Sequence, residues 1–380
     1  MHIDEERLQK KRLEKANSLL ESLGLEAIIA TAWDNIRFLT DSKPYVTVDF
    51  YIDTGAAILP VDGDPAIIGG LQGEIAEGVK ILGKLSSYPY IPSPLVSRIW
   101  GKAISKALQQ VDIAEGKIGI DYLPIETLQN LKNRLKRIEF IPILKDILRI
   151  RAIKMVDEIK LVKKAASIVD TGMQKGLDNL KIGVSERKVC AEIFNAMFMV
   201  GSEMVPWTPC CTCGGQYADL KPTDYRLKEG DSIRWDVGAM FKGYIGDASR
   251  TGFVGTPDED FRKLYSCVYK ALMNGIKAIK PGNRGSDVDF AARSTLQKNN
   301  YPAYAMSMGH GIGMRVYEFP WIAPKEEAQE LDMRLEPGMV MSLEPESYSN
   351  NKFVRLEDMI LVTESGNEIL TKTEYLLDFI

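Results

Sequence analysis

The chain has 380 residues, 45% of them hydrophobic and 26% charged, enough apolar surface for two cores of ordinary domain size. Its formal net charge of -4, with lysines interleaved among acids, leaves no field to hold a polyanion and excludes nucleic acid as an expected partner. No run approaches the ~20 apolar residues that cross a bilayer, and residues 1–11 are mostly charged, so no membrane partner is expected and the expected location is cytoplasmic.

In chain order, apolar residues recur at helical spacing from 5 to 23, and a turn at Gly24 precedes the apolar run 27–30, which reads as a helix followed by a buried strand. Strands are expected at 55–59 and 65–68, a helix near 102–110, a strand at 117–121, a helix near 126–137 and a strand at 139–144. Residues 1–150 therefore read as an α/β domain. A charged, linker-like stretch at 148–155 precedes two long amphipathic helices, 157–180 and 185–200, with Ser185 placed as the second helix's N-cap. Beyond them, alternating apolar and polar residues at 232–238, 244–253, 340–346 and 354–363 read as antiparallel strands, interrupted by helices at 258–279 and 285–298. Residues 151–380 read as an α+β domain.

Those strands carry the chemistry. Asp236 sits inside the apolar stretch Trp235-Asp236-Val237-Gly238, and eleven residues later Gly246-Asp247 repeats the situation on what reads as the paired strand. His310, one of only two histidines in the chain, lies in Gly309-His310-Gly311-Ile312-Gly313, and Glu344 and Glu357 are each embedded in strand-like sequence. If the strands form one sheet, four carboxylates and an imidazole converge. Uncompensated, such acids repel one another and each loses several kcal/mol in desolvation. Two divalent cations cancel the charge, and oxygen donors with one nitrogen suit Mn, Co, Fe or Zn. A metal pair activates water for attack on a carbonyl or amidine carbon. The alternative is a metal-free polar core.

With these residues on the page, the chain closely resembles the pita-bread metallopeptidases, which include Xaa-Pro dipeptidase, aminopeptidase P, methionine aminopeptidase and the creatinases. The resemblance is carried by 236–251, 309–313, 337–345 and 355–363, in the ligand order Asp236, Asp247, His310, Glu344, Glu357. It implies an α+β pita-bread catalytic domain at 151–380, preceded by a creatinase-type α/β N-terminal domain at 1–150. It further implies that the five residues bind two metal ions, that Glu344 also shuttles a proton, and that the chain is a homodimer acting on a dipeptide or small molecule.

The sequence departs from this pattern in the pocket. Proline-specific members carry two further histidines. The alignment puts Asp219 in one place, ahead of Pro222-Thr223-Asp224, and Tyr317 in the other, in Tyr317-Glu318-Phe319-Pro320. Tyr317 can donate through its hydroxyl but cannot carry positive charge, while an Asp219 carboxylate accepts rather than donates. Such a pocket fits a substrate that brings its own cation; alternatively Asp219 lies on an exposed loop and Tyr317 serves packing.

Two smaller features are weighed in the same way. Cys213 forms a nominal C-x-x-C with Cys210, but no second ligand pair for a structural zinc is apparent; small buried thiols are expected, with a substrate-facing Cys213 as the alternative. Five cysteines, an odd count, fit a reducing compartment better than a disulfide framework. By resemblance Arg355 orients an active-site carboxylate or the substrate, against plain surface pairing. The expected function is a dinuclear metal-dependent hydrolase of a C–N bond, Xaa-Pro dipeptidase-like. The alternatives are a hydrolase or lyase acting on a small cationic amide, amidine or sulfonium compound, and a non-catalytic peptide-binding module.

Overall fold

In the computed structural model, which describes residues 3–44, 55–69, 73–83, 93–207, 212–213, 221–303, 307–350 and 352–376, helix α1 (Glu5–Leu23) starts where Asp4 accepts a hydrogen bond from the Arg7 amide. It ends at Gly24, whose φ of 60° suits glycine. The following elements are β1 (Ala27–Ala30), α2 (Trp33–Thr40), β2 (Lys43–Pro44), β3 (Ala56–Pro60), β4 (Ala66–Ile68), β5 (Gly73–Glu74), β6 (Lys80–Leu82), α3 (Pro94–Gln110), β7 (Gly116–Ile120), α4 (Ile125–Arg134) and β8 (Ile138–Pro142). Six strands form one mixed sheet in the order β6-β4-β3-β1-β7-β8. Its core includes Ile29, Ile58, Ile68, Trp100, Ile104 and Ile118.

Helix α2 is absent from the periodic pattern because every one of its residues is buried, Asp34, Asn35 and Arg37 included. A helix buried all round has no polar stripe to show. Its N-terminus has no side-chain cap of its own. Asp121, just after β7, holds the turn that enters the helix: its carboxylate accepts from the Thr31 amide (2.8 Å), the Ala32 amide (3.0 Å), Asn35 Nδ2 (2.9 Å) and its neighbour's amide at Tyr122 (2.6 Å).

Helix α5 (Leu144–Ala152) corrects the expectation of a linker at 148–155. The charges misled: Ile147 and Arg151, one helical turn apart, are both buried and share a face. Backbone packing divides the chain into two units, Met1–Ile150 and Arg151–Ile380.

In the second unit, α6 (Val156–Asp178) and α7 (Glu186–Met199) precede β9 (Thr212–Cys213), β10 (Ser232–Phe241), β11 (Tyr244–Phe253), α8 (Glu259–Ala278) and α9 (Gly285–Lys298). There follow β12 (Gly309–Gly311), β13 (Glu318–Ile322), α10 (Lys325–Ala328), β14 (Val340–Leu343), β15 (Glu346–Ser349), β16 (Lys352–Arg355), β17 (Asp358–Thr363) and β18 (Gly366–Ile369). Ser185 caps α7, accepting from the Lys188 amide. The strands lie in more than one sheet: β11-β10-β9 is one and β13-β12-β14-β17-β18 another, with β15 and β16 a separate hairpin. An isolated antiparallel bridge, Ser249 with Glu357, joins the two larger sheets. Among the described residues no helix is long and apolar enough to cross a membrane.

Candidate metal centre

Strand register decides which acids meet. Asp236 on β10 lies opposite Ser249, and Asp247 on β11 lies opposite Gly238, so the two aspartates are diagonal neighbours on one face. Gly246, beside Asp247, lets α6 close on the strand: a Cβ there would lie 2.7 Å from the Ala165 carbonyl carbon.

His310 is the centre of β12, opposite Ser342 of β14 and Trp321 of β13. The glycines around it are steric necessities. A Cβ on Gly309 would collide with the Ser342 carbonyl oxygen, and one on Gly311 with the Phe319 carbonyl oxygen. Ser342 Oγ donates to the Asp247 carbonyl (3.2 Å), tying the histidine's sheet to the aspartate's strand. Glu344 follows β14 and Glu357 precedes β17.

Asp247, His310 and Glu357, all buried, each offer a ligand atom, and these atoms lie within 4.8 Å of one another. His310 Nε2 is 3.7 Å from Asp247 Oδ2 and 3.7 Å from Glu344 Oε1. Burial lowers the imidazole's pKa to about 4, so these contacts are made by a neutral ring. Its Nδ1 is 3.1 Å from the Gly311 carbonyl; with the proton there, the Nε2 lone pair faces the carboxylates, the tautomer a metal ligand needs. Burial, followed by the charges of its acidic neighbours, raises Asp247 and Glu357 well above the usual carboxylate range. Burial also lifts Glu344 to about 7, with Arg355 opposing and Asp236 adding to the rise.

Among the described residues, Asp247 Oδ1 and both carboxylate oxygens of Glu357 are buried without a hydrogen-bond partner. Buried acceptors are rarely left so. Three orphaned carboxylate oxygens around an imidazole lone pair fit a divalent cation, which accepts all of them at once.

Arg355 sits beside this cluster. Its Nη1 donates to Asp236 Oδ2 at 2.6 Å and lies 3.6 Å from Glu344 Oε2, while Nε donates to Glu346 Oε2 at 2.6 Å. It thus touches acids on the β10 strand, on the β14–β15 link and on β15. Tyr317 is 57% exposed, with its ring edge-on to His310 at 4.6 Å between centroids. Burial of its hydroxyl and the nearby acids push its pKa up, keeping it a neutral donor. Asp219 lies outside the described residues, as do Cys210 and the side chain of Cys213; the Cys213 backbone pairs with Ile233 in the β9–β10 ladder.

Sequence reasoning did not single out Glu346, although it stands two residues from Glu344. It also missed the buried pairing of Glu318 with Arg151 and with Lys154, the latter at 3.1 Å, because the partners are more than 160 residues away in sequence.

The profile of metallopeptidase family M24 matches residues 160–364, and that of the creatinase/prolidase N-terminal domain matches residues 12–153. The chain belongs to metallopeptidase family M24. Among its relatives, the Xaa-Pro dipeptidase of Pyrococcus furiosus is 29% identical over 373 residues, covering 96% of this chain and 99% of that one. A Pyrococcus horikoshii Xaa-Pro dipeptidase is 33% identical over 259 residues, covering 66% of this chain and 72% of the other. The solved structure of recombinant prolidase from Thermococcus sibiricus superposes with a TM-score of 0.82 at 26% identity, covering 99% of both chains. A Xaa-Pro dipeptidase from Bacillus anthracis gives 0.81 at 25%, covering 97% of this chain and 99% of that one. The α+β pita-bread unit of this M24 chain and its creatinase-type α/β unit are thus those the sequence resemblance implied.

Proposed function

We propose that this M24 chain is a hydrolase of a C–N bond, of Xaa-Pro dipeptidase type, which uses two divalent ions held by Asp236, Asp247, His310, Glu344 and Glu357. The observation that carries the reading is the set of three orphaned carboxylate oxygens at Asp247 and Glu357, facing the neutral imidazole of His310. When bound, divalent ions of the Mn, Co, Fe or Zn kind polarise a carbonyl oxygen and bring a water's pKa close to neutrality.

The chain's own residues supply the rest. Glu344, whose Oε1 lies 3.7 Å from His310 Nε2, is placed to take a proton from the attacking water and return it to the leaving nitrogen. Arg355 holds the Asp236 and Glu346 carboxylates in place, so that their charge faces the site in one geometry. Tyr317, its hydroxyl kept neutral, donates a hydrogen bond to negative charge developing on the substrate oxygen, where an imidazole would donate and also carry charge. The homodimer implied by the resemblance belongs to the same proposal and is checked by sedimentation.

The test is a titration followed by an assay. Protein dialysed against chelator should take up about two Mn(II) ions per chain and then cleave Xaa-Pro dipeptides. Cleavage confined to creatine-like amidines or to sulfonium compounds would transfer the substrate to the cationic class and leave the metal centre standing. Failure to take up Mn(II), Co(II), Fe(II) or Zn(II) would remove the enzyme reading altogether.

A further inference from the structure

The proposed metal ligands come from two sheets. Asp236 and Asp247 belong to β10 and β11, whereas His310, Glu344 and Glu357 belong to β12 and to segments flanking β14 and β17. Their mutual spacing is only as well fixed as the seam between the sheets. At Glu357 that seam is the bridge to Ser249, in which the Glu357 amide donates to the Ser249 carbonyl over 3.0 Å.

Side chains alternate along a strand, so Arg250 leaves β11 on the side opposite Asp247 and Ser249. Its guanidinium, 2% exposed, grips the seam from behind. Nη1 donates to both carbonyls of the bridge, Ser249 at 3.0 Å and Glu357 at 2.7 Å. Nη2 donates to Asp358 Oδ1 at 2.8 Å and to the Thr373 carbonyl at 2.7 Å. One planar fork therefore holds the main chain two residues beyond Asp247 together with the main chain of Glu357, whose carboxylate oxygens are both orphaned.

The fork is itself held. The Asp358 carboxylate also accepts from Thr371 Oγ1 (2.6 Å) and from the Tyr375 hydroxyl (2.5 Å), and the Tyr375 ring faces the guanidinium at 4.5 Å. The segment bearing these residues is pinned to α6 by Asp170, which accepts from the amides of Lys372 (2.8 Å) and Thr373 (2.9 Å).

We infer that Arg250 is a positioning residue for the metal centre, setting the span between the Asp247 and Glu357 carboxylates through the Ser249–Glu357 seam. The inference rests on the metal reading proposed above. Metal sites tolerate errors of only ~0.2 Å in ligand distance, and a four-bond planar fork fixes two carbonyls where a lysine ammonium, a flexible point charge, cannot.

Titration of the dialysed full chain with Co(II), followed by visible absorption, tests this. Arg250→Lys should bind Co(II) about 10–100-fold more weakly and shift its absorption bands, the usual size of a support-residue effect. Tyr375→Phe, which leaves the guanidinium and its charge in place, should lose about 10-fold, the lower end of that range. A wild-type chain that takes up no Co(II) would overturn the metal reading, and this inference with it. A wild-type chain that binds Co(II), beside a folded Arg250→Lys variant with the same affinity and spectrum, would overturn the positioning role alone. Should Arg250→Lys fail to fold, wild-type affinity and spectrum in Tyr375→Phe would overturn it equally.

Discussion

Asp121 in the first unit and Asp247 in the second are both buried, 8% and 4% exposed, and their surroundings are opposite. Asp121 accepts from three backbone amides and the Asn35 side chain, at the start of a helix whose dipole favours negative charge. Burial pushes its pKa up, and those bonds pull against the rise. Asp247 has one oxygen without any partner among the described residues, and Glu357 has two. Glu318, also buried, is met by Arg151 and Lys154. This chain therefore supplies donors or cations to a buried acid where the acid serves structure. Where it withholds them, the partner proposed above is a divalent ion from solution.

Three measurements would sharpen or break that contrast. The largest effect is expected at the orphans: Asp247→Asn or Glu357→Gln should weaken Mn(II) binding at least about 100-fold, because a neutral amide cannot replace an anionic ligand. Calorimetric titration reads this directly, and affinity within a few-fold of wild type would show that these oxygens are not ligands. Asp121→Asn comes next. Its amide would turn an N–H₂ group toward donors, at Ala32 and Asn35 or at Thr31 and Tyr122, and should cost about 1–3 kcal/mol without altering metal uptake. Denaturant unfolding measures the loss, and a neutral result would mean that the network around α2 is incidental.

The smallest effect distinguishes the two acids by pH. The folded-state pKa of Asp247 lies well above its unfolded value, so the folded chain binds the proton more tightly. Stability from this group is fully present below the unfolded pKa of about 4 and is lost as pH rises toward the folded value. In chelator, the melting temperature of the wild type should therefore fall from pH 4 to pH 8. Asp247→Asn should be more stable than wild type at pH 8 and no different at pH 3. A metal-free melting temperature that holds steady from pH 4 to pH 8 would contradict the raised values.

Much of this was legible in the sequence, for reasons that differ by element. Helices α8 and α9 showed an apolar stripe against a polar face, and β11, buried throughout, carries β-prone residues between two glycine-marked turns. The acids at 236, 247, 344 and 357 stand out because each interrupts an apolar, strand-like stretch of sequence. Helix α2 was invisible because burial of its polar residues removes the period that marks a helix. That the strands split into two sheets, and that Arg250 and Asp358 close the seam between them, depends on pairings across about 100 residues of sequence, which local patterns do not encode.

The glycines around His310 divide the tasks on β12 unequally. Strand spacing is set by the bare backbone at 309 and 311, where any side chain would strike a neighbouring carbonyl, and not by the imidazole between them. The ring can therefore be exchanged while its socket survives. His310→Asn would abolish the nitrogen donor and leave β13, β12 and β14 zipped together, whereas Gly311→Ala would force the sheet apart with the histidine still present. In this chain the nitrogen ligand is a replaceable fitting on a frame that hydrogen-bonded strands hold and bare glycines allow to close.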